Sequence, residues 1–493
     1  MTSTRALAPV AAWRRQVWVI LALYAALAGG YAWLNPVFEA PDEPFHVGYV
    51  NFLLRQRRWP QDVDIEKTQQ FLETHADEAH DFQIFEAGQS DIVHTWLHPP
   101  LYYILQMPLL GAFYPRGFTG VLVPVRRDFR VAIQRGFFHH ESNEQWIWTR
   151  QLCAIRLMRL LSVVLGGLAI WMTARIAALA MPESLNLPIF AAGLHASIPQ
   201  FTFLSGTVNN DSLGYVASAL GLWVLLRVLQ RPPSAPRAAL MVGLSLGLGL
   251  WSKATTLFLW PLTLAVGWFA YRRWMERGIC ALGAIAIGGV IAWPAYAGRL
   301  HWMADLLGFA ATGRSRFMSF STPFYGIPAG TDLGYLGRVL DMLGESFWGR
   351  FGWSHVPMDH RVLAVYWLVV TLALTGWCWP RPQRPLSAWT RKALTVLMGG
   401  VAIFGGCAGL LYARAFFPQG GRYLMTLGSA IAVGLALGLL RVRGRLEDIV
   451  EQPVPERGFV WGVLGLMVSL NGFVLWQSIY RAYAVAWGAA HVG

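Results

Sequence analysis

Eleven apolar stretches dominate this sequence, and each approaches the length of about 20 residues that a helix needs to cross the hydrocarbon core of a bilayer. Apolar residues make up 55% of the 493 residues and charged residues only 14%, whereas soluble domains carry about 25% charged residues. A water-soluble globule of this size could not bury so much apolar surface, and a disordered chain would be far more polar. The pattern therefore predicts an all-α polytopic membrane protein with about eleven transmembrane helices. The predicted spans are 16–34, 156–180, 188–208, 212–230, 238–252, 254–271, 279–297, 361–379, 393–412, 423–440 and 458–478.

Arginine is concentrated in the N-terminus and in the short connections at 231–237, 272–277, 380–392 and 441–457. With eleven spans, all of these segments fall on one side of the membrane. An excess of arginine marks the cytoplasmic side, so we expect the N-terminus in the cytoplasm and the C-terminus outside. The same rule accounts for the formal net charge of +13, and nucleic acid is not an expected partner. The four cysteines are scattered and form no metal-binding pattern.

Two long segments, 35–155 and 298–360, then lie outside the cytoplasm. Long translocated segments are exempt from the arginine rule, so the arginines of the first segment do not change this assignment. Within it, residues 42–58 and 98–114 have amphipathic helical patterns, and we expect two helices along the outer membrane surface. Residues 98–114 also approach the length of a span. The chain then divides into a first membrane module at 1–297, an extracytoplasmic loop at 298–360 and C-terminal transmembrane helices at 361–493.

Polar residues gather directly after the first span, in the sequence EAPDEPFH at 39–46. The prolines of this motif predict a turn followed by a helix start. Asp42 then lies at the N-terminus of the helix, with His46 one turn later on the same face. One interpretation is that Asp42 caps the helix. The other is that Asp42, with Glu43 beside it, is a carboxylate held at the membrane surface that accepts a proton from a hydroxyl group.

Two further polar clusters fall at the same outer side of the predicted membrane. His98 and Tyr102 belong to HPPLYY at the start of the second surface helix, and Asn210 and Asp211 belong to NND at the outer end of a span. Interfacial aromatic packing would explain the first cluster, and helix capping would explain part of the second. The alternative is that these side chains line the same cavity as Asp42 and bind a substrate.

Basic residues complete this side of the protein. Lys253 lies between two apolar runs, away from the arginine-rich connections, and an ionisable residue at such a depth is a functional candidate. The alternative is that its side chain snorkels to the interface. Arg350 and Arg422 lie in predicted outer segments, and Arg422 follows a glycine pair that would let the backbone approach a ligand closely. Such cations suit the phosphate of a lipid-linked substrate.

Taken in order, the motifs PDEPFH, HPPLYY, NND, SKATT and QGGRY resemble those of bacterial multispanning proteins with a PDEPxH motif. Those proteins are similar in turn to the GT-C glycosyltransferases, a class that includes protein O-mannosyltransferases and the lipid A aminoarabinose transferase. The resemblance covers roughly residues 16–440. It implies a bacterial inner-membrane enzyme that uses a polyprenyl-phosphate-linked sugar donor. Transfer would be inverting and would reach a glycan, lipid or protein acceptor on the extracytoplasmic side.

The resemblance also implies roles for the candidate residues. Asp42 matches the acidic residue that acts at the acceptor, and Asp211 matches an acidic residue at the outer end of the third span. Lys253 and Arg422 match the basic residues that hold the donor phosphate. His98 stands where the aminoarabinose transferases commonly have a lysine. The Trp-Trp-Asp signature of oligosaccharyltransferases is absent from the sequence, which argues against transfer of a preassembled glycan to asparagine.

No cofactor is expected for this chemistry, and a divalent metal held by Asp42, His46 and Asp211 is the alternative. A lipid-linked sugar flippase or polysaccharide exporter is a second function for such a chain. It should carry ionisable groups through the depth of the membrane and internal symmetry, and the sequence shows neither. A noncatalytic subunit of a cell-envelope assembly is a third. A transferase accounts best for candidate residues that are confined to one face.

Overall fold

The computed structural model describes residues 8–61, 63–64, 98–119, 138, 140, 144–297, 333–379, 385–414 and 420–484. Over these residues the chain is almost entirely helical, and one short ribbon pairs the antiparallel strands β1 (Arg350–Phe351) and β2 (Val356–Pro357). Much of the two predicted outer loops, at 65–97 and 298–332, lies outside the described residues. The all-α architecture is the one that the apolar pattern predicts.

The helices are numbered in chain order: α1 Ala8–Leu34, α2 Glu43–Gln56, α3 Leu101–Gly111, α4 Arg150–Ala180, α5 Leu187–Ala196, α6 Pro199–Ser205, α7 Asp211–Gln230, α8 Ala235–Ser252, α9 Leu259–Ala270, α10 Trp274–Tyr296, α11 Leu333–Trp348, α12 His360–Cys378, α13 Ala388–Arg414, α14 Gly428–Val450, α15 Glu456–Val474 and α16 Ala482–Ala484. Short 3₁₀ helices precede α9 at Ala254–Phe258 and α14 at Gly420–Leu427. A π-helical turn, Leu475–Arg481, links α15 to α16.

Eight helices in the described part of the chain are long and apolar enough to cross a membrane, and a bent pair of helices raises the number to nine. They confirm a polytopic membrane protein. The two other predicted spans coincide with α8, which is not among the eight, and with the shorter apolar helix Ala254–Ala270. The number of eleven spans therefore stays a prediction. The eight are Trp13–Leu34, Arg150–Ala180, Asp211–Gln230, Trp274–Tyr296, His360–Cys378, Ala388–Ala408, Gly420–Val450 and Glu456–Ala484.

The bent pair corrects one predicted span. The sequence predicts a single helix over 188–208, but the chain turns by 68° between α5 and α6. Proline at position 199 cannot continue the hydrogen-bond ladder and holds the preceding Ile198 in an extended conformation. A buried network then satisfies polar groups near the bend: Asn471 donates to Thr202 Oγ1 at 2.8 Å and accepts from Tyr31 at 3.0 Å.

The two predicted surface helices are present as α2 and α3, which pack against each other and against α4 in one apolar cluster. With eleven residues, α3 is about 17 Å long, which is too short to cross a hydrocarbon core of about 30 Å. The described chain thus places α2 directly after α1 and α3 beside it. Together they cover the end of the bundle at which α7 begins, with Asp211, and α8 ends, before Lys253.

The orientation of the bundle can be tested by cysteine labelling. Thr119 and Ser387 are both exposed, and they lie in segments that the arginine pattern assigns to opposite sides of the membrane. In a variant without the native cysteines, we expect Thr119→Cys to react with an impermeant thiol reagent in intact cells. Ser387→Cys should react only after the cells are opened. Labelling in the reverse pattern would contradict the predicted orientation.

Candidate functional site

Asp42 stands at the start of α2 but does not cap it. The residue adopts the left-handed conformation, with φ 63°, and its side chain makes no capping hydrogen bond. Its carboxylate instead accepts from Arg422, with 2.6 Å between Asp42 Oδ2 and Arg422 Nη2. The Asp42 side chain is 30% exposed and that of Arg422 only 10%. The capping interpretation is therefore wrong, and the first candidate residue is ion-paired with a residue 380 positions later in the sequence.

A second ion pair joins Lys253 to Asp211. The ammonium group of Lys253 donates to Asp211 Oδ1 and, at 3.2 Å, to Asn210 Oδ1. Both side chains of the pair are almost completely buried, so Lys253 does not snorkel to the membrane interface. Asn210 and Asp211 lie at the start of α7 without a side-chain capping bond from Asn210. The two predicted clusters, NND and SKATT, are thus brought into direct contact.

The local backbone explains how a lysine reaches this position. Lys253 follows α8 in an extended conformation, with φ −162° and ψ 138°, before the 3₁₀ helix at Ala254–Phe258 begins. Gly214, one turn after Asp211 on α7, gives the lysine stem its space, because a Cβ at position 214 would lie 3.2 Å from Lys253 Cβ and Cδ. A larger residue there would push the stem away from Asp211.

Tyr423 connects the two ion pairs. Its ring centre lies 5.2 Å from Arg422 Cζ and 5.6 Å from Lys253 Nζ, which is within the range of cation–π attraction. We call Asp42, Arg422, Tyr423, Lys253 and Asp211 the paired-ion cluster. It contains two cations and two carboxylates from four separate segments of the chain, so four of the candidate residues meet in one place.

The glycine pair before Arg422 has a role different from the predicted one. Gly421 donates its backbone N–H to Ser346 Oγ at 2.8 Å, and a Cβ there would lie 2.1 Å from the carbonyl oxygen of Leu343. Gly421 therefore lets the 3₁₀ helix Gly420–Leu427 lie against the backbone of α11. The expectation that this position is open to a ligand is wrong, and the close packing instead fixes the segment that carries Arg422.

His46 lies beside the paired-ion cluster within an aromatic group. Its Nδ1 is 2.9 Å from the hydroxyl of Tyr103, and its ring lies 5.8 Å from the ring of His98 and 6.4 Å from that of Tyr102. Burial lowers the pKa of His46 well below its ordinary value, and the charges of His98 and Lys253 lower it further, against the carboxylates of Asp42 and Asp211. The imidazole is therefore neutral at physiological pH and can donate or accept a hydrogen bond.

Glu43 differs from its neighbour Asp42 in being fully buried and fully hydrogen-bonded. Its two oxygens accept from Arg159 at 2.7 and 2.6 Å and from the backbone N–H groups of Phe38 and Val208 at 3.0 and 2.9 Å. Arg159 also donates to backbone carbonyls in the last turn of α1 and just after it, at Ala32, Asn35 and Pro36. This pair ties the end of α1, the start of α2, α4 and the approach to α7 together.

The sequence interpretation passed over Arg159, although a signal for it exists. The residue lies inside the predicted span 156–180, and a charged side chain within a span indicates a specific role. The structure shows that it neutralises a motif carboxylate and is itself 1% exposed.

Arg350 lies in a different environment. Its guanidinium donates to the carboxylate of Glu345 and, at 2.9 Å, to the carbonyl of Ser354, and its backbone N–H donates to Gln200 Oε1. These contacts close the turn between α11 and the β-ribbon. In the described residues, Arg350 therefore has a place in the scaffold next to the broken span rather than in the paired-ion cluster.

Glu39, three residues before Asp42, contacts Phe138 and His140. Glu39 Oε1 accepts from the backbone of Phe138 at 2.8 Å and contacts His140 Nε2 at 3.1 Å, while His140 Nδ1 contacts Glu144 at 2.5 Å. Burial by itself lowers the pKa of His140, but the hydrogen bonds to Glu144 and Glu39 outweigh it and raise the pKa to about 9. The imidazole is therefore cationic at neutral pH.

The raised pKa of His140 predicts a pH-dependent stability. The folded state keeps this proton up to a pH of about 9, whereas the unfolded chain loses it near the ordinary value of 6.5. The stabilisation is complete below 6.5 and is lost as the pH rises to 9, by roughly 3 kcal/mol. Thermal unfolding of the purified protein across this range should show a falling midpoint. His140→Gln should remove that fall, and parallel pH profiles of the two proteins would contradict the assignment.

A metal was the alternative for Asp42, His46 and Asp211. In the part of the chain that the structure describes, no three His, Cys, Asp or Glu side chains are arranged to hold a metal ion. Asp42 and Asp211 are ion-paired with Arg422 and Lys253, and the second carboxylate oxygen of Asp211 is buried without a hydrogen-bond partner among the described residues. A divalent metal at these residues stays a prediction.

Comparison with known proteins gives one match at the level of sequence families. Residues 147–297 match the family model of dolichyl-phosphate-mannose-protein mannosyltransferases. The matched segment contains Arg159, Asn210, Asp211 and Lys253. A search of curated protein sequences gives no match.

Several solved structures have partial similarity to this chain. They include an oligosaccharyltransferase from Archaeoglobus fulgidus in complex with Zn and sulfate, at 13% identity and a TM-score of 0.44, covering 95% of this chain and 52% of that one. Another is ArnT from Cupriavidus metallidurans bound to undecaprenyl phosphate, at 11% identity and a TM-score of 0.45, covering 96% of this chain and 75% of that one. This chain thus spans about half the length of the archaeal enzyme. Similarity at this level carries no conclusion about function.

The family match covers less than a third of the chain, but it falls on the segment that supplies one of the two ion pairs. The wider resemblance to PDEPxH proteins stays a prediction. For residues 147–297, the resemblance of this membrane protein to the GT-C glycosyltransferases is confirmed.

Proposed function

We propose that this protein is a membrane glycosyltransferase that transfers a sugar from a polyprenyl-phosphate donor to an acceptor hydroxyl on the extracytoplasmic face. The observation that carries the proposal is the paired-ion cluster. Two cations suited to a phosphate and a partly exposed carboxylate suited to a hydroxyl lie within one group of contacts, at one end of a helical bundle. The match of residues 147–297 to a mannosyltransferase family supports the same reaction class.

The two cations would hold the donor phosphate. Arg422 and Lys253 both lie within cation–π range of the Tyr423 ring, so a phosphate that contacted both would meet two positive charges next to the phenol group. Arginine offers a phosphate two parallel hydrogen bonds, and lysine adds a point charge. A phosphate that takes over Arg422 also releases Asp42 from its ion pair. Donor binding would thereby prepare the carboxylate for its acceptor.

The transfer step then follows from these positions. The acceptor oxygen attacks the anomeric carbon from the face opposite the phosphate, and the bond between that carbon and the phosphate oxygen breaks with inversion. The acceptor proton passes to Asp42, which acts as the general base. The electron pair of the broken bond stays on the polyprenyl phosphate, whose developing charge Arg422 and Lys253 stabilise. The reaction needs no oxidant or reductant.

The other candidate residues would position the substrates. Glu43, with both oxygens occupied by Arg159 and two backbone donors, fixes the helix start next to Asp42 and is a positioning residue. His46, His98 and Tyr102 form a wall beside the cluster. The side-chain nitrogen of Asn210 is buried and has no hydrogen-bond partner among the described residues, so a sugar hydroxyl would satisfy it.

A transfer assay in proteoliposomes tests the proposed function. The purified protein is incubated with defined polyprenyl-phosphate sugars and a panel of glycan, lipid and peptide acceptors, and the glycosylated product and free polyprenyl phosphate are both measured. We expect release of polyprenyl phosphate that depends on an acceptor. Movement of the intact lipid-linked sugar across the bilayer, without cleavage of the phosphate bond, would instead identify a flippase and overturn the proposal.

The role of Lys253 gives a separate prediction. Lys253→Met should lower kcat/KM for the donor by about 10- to 100-fold, because a charge-assisted hydrogen bond to the phosphate contributes about 1.5–3 kcal/mol. The single change also leaves Asp211 buried without its counter-charge. The double variant Lys253→Met/Asp211→Asn removes both charges and serves as the folding control. If Lys253→Met folds and retains full donor use, Lys253 does not bind the phosphate.

A further inference from the structure

The bundle has a second group of cations at the end opposite the paired-ion cluster. Arg14 lies near the N-terminus of α1, Arg175 in the last two turns of α4 and Arg227 in the last turn of α7. All three arginines line one open cavity with a volume of about 410 Å³. Along α7, Arg227 lies sixteen residues after Asp211, which corresponds to about 24 Å and nearly the thickness of the hydrocarbon core.

Tryptophan rings accompany these arginines. The guanidinium groups of Arg175 and Arg227 lie 5.5 and 6.0 Å from the ring centre of Trp223, and that of Arg14 lies 5.9 Å from Trp13. Both tryptophans line the cavity. Tryptophan prefers the level of the lipid headgroups, so the cavity lies where a phosphate of the bilayer would be. The rings and the cationic side chains therefore border a common space.

Opposite charge is missing from this cavity. In the described residues, no carboxylate forms an ion pair with Arg14, Arg175 or Arg227. The one side-chain hydrogen bond described for the three runs from Arg227 to the amide oxygen of Gln230 at 3.5 Å. Three like charges that face one cavity repel one another. An anion in the cavity would remove that repulsion.

Membrane topology alone does not explain the arrangement. The positive-inside rule requires arginine near the cytoplasmic ends of spans, but it does not require arginines from three different helices to converge on one cavity. Arg15, the neighbour of Arg14, does not line it. The remaining wall is apolar and includes Leu185. An apolar wall next to convergent cations suits a ligand with a charged head and a hydrocarbon part.

We propose that this cavity binds a phosphate group, carried by the headgroup of an anionic phospholipid in the leaflet opposite the candidate active site. Basic pockets between transmembrane helices recognise lipid phosphates in this way. Two or three guanidinium groups would contact the phosphate oxygens. The glycerol and the upper acyl chains would lie against the apolar wall. The cavity volume of about 410 Å³ is sufficient for a headgroup and falls within the usual range of ligand sites.

Lipid binding to the delipidated full-length protein tests this proposal. Native mass spectrometry would measure the binding of dioleoyl-phosphatidylglycerol, dioleoyl-phosphatidylcholine and inorganic phosphate in separate titrations. We expect selective binding of phosphatidylglycerol by the wild type. The double variant Arg175→Gln/Arg227→Gln should weaken it on the order of 10-fold or more, because two charge-assisted hydrogen bonds are lost. Arg175→Lys/Arg227→Lys should retain part of the affinity.

The matched control is Arg272→Gln/Arg273→Gln, which removes the same charge from two exposed arginines in an arginine-rich connection. It should bind phosphatidylglycerol as the wild type does. Equal weakening in the control would show general charge attraction and overturn the pocket. Equal binding of phosphatidylcholine would also overturn it. If inorganic phosphate binds with the same arginine dependence and the lipid does not, the assignment to a lipid is overturned.

Discussion

The Asp42→Asn variant should fold and insert normally but lose about 10²-fold or more of its transfer rate. Asparagine has the size of aspartate, and it is among the few residues that tolerate the left-handed conformation found here, with φ 63°. Its amide oxygen can still accept a hydrogen bond from Arg422. The variant therefore removes the proton acceptor and little else. Turnover with a saturating polyprenyl-phosphate donor is the measurement.

Asp64→Asn is the matched control for this experiment. Asp64 also forms an ion pair with an arginine, at 2.6 Å from Arg58, and it lies in the segment that follows α2. The substitution removes the same charge and should leave turnover unchanged. Thermal unfolding of both variants shows whether either change disturbs the fold. Wild-type turnover in a folded Asp42→Asn protein would exclude Asp42 as the general base.

The second large effect concerns stability. Arg159→Met should lower the free energy of unfolding by about 3–5 kcal/mol, the usual cost of breaking a buried ion pair from one side. The substitution leaves the buried carboxylate of Glu43 without a counter-charge. It also removes the donor to three backbone carbonyls at the end of α1. The unfolding midpoint of the detergent-solubilised protein measures this loss.

Two comparisons make this prediction specific. Arg156→Met alters the same helix three residues earlier. Among the described residues, Arg156 donates to the carbonyls of Ile147 and Glu144 and lies against the rings of Trp33 and Trp148, without a buried carboxylate as partner. This substitution should cost about 1–2 kcal/mol. The double variant Arg159→Met/Glu43→Gln carries no uncompensated charge and should recover part of the stability. An Arg159→Met protein as stable as the wild type would show that the ion pair does not hold the helix start.

Much of the candidate site could be predicted from where the motifs stand relative to the spans. Asp42 follows the first span, Asp211 begins another and Lys253 ends a third, so all of them belong to one end of the bundle. The rarity of charged residues in an apolar chain made each position informative. The same reasoning predicts α2 and α3, because an amphipathic pattern is a local property of the sequence and does not depend on contacts between helices.

The partners of these residues could not be predicted. Asp42 and Glu43 are neighbours in sequence and look equivalent, but Asp42 precedes α2 in the left-handed conformation whereas Glu43 is the first residue of the helix. One carboxylate therefore meets Arg422 and the other meets Arg159. Those pairings depend on how helices that are distant in sequence pack together, and a local sequence pattern does not predict that packing. The bend between α5 and α6 was missed for a different reason. The mean hydropathy of a long apolar stretch changes little when one of its residues is proline.

The paired-ion cluster has a further consequence, which concerns long-range electrostatics. Its two carboxylates and two cations sum to zero charge, so the resting site projects little field into the surrounding water. Free phosphate and nucleotides, which reach charged clefts by electrostatic steering, would gain little attraction to it. A lipid-linked phosphate arrives differently, by diffusion within the bilayer, and needs no steering. Charge neutrality at rest would thus select for the ligand that the membrane itself delivers, and capture of that ligand would change little with ionic strength.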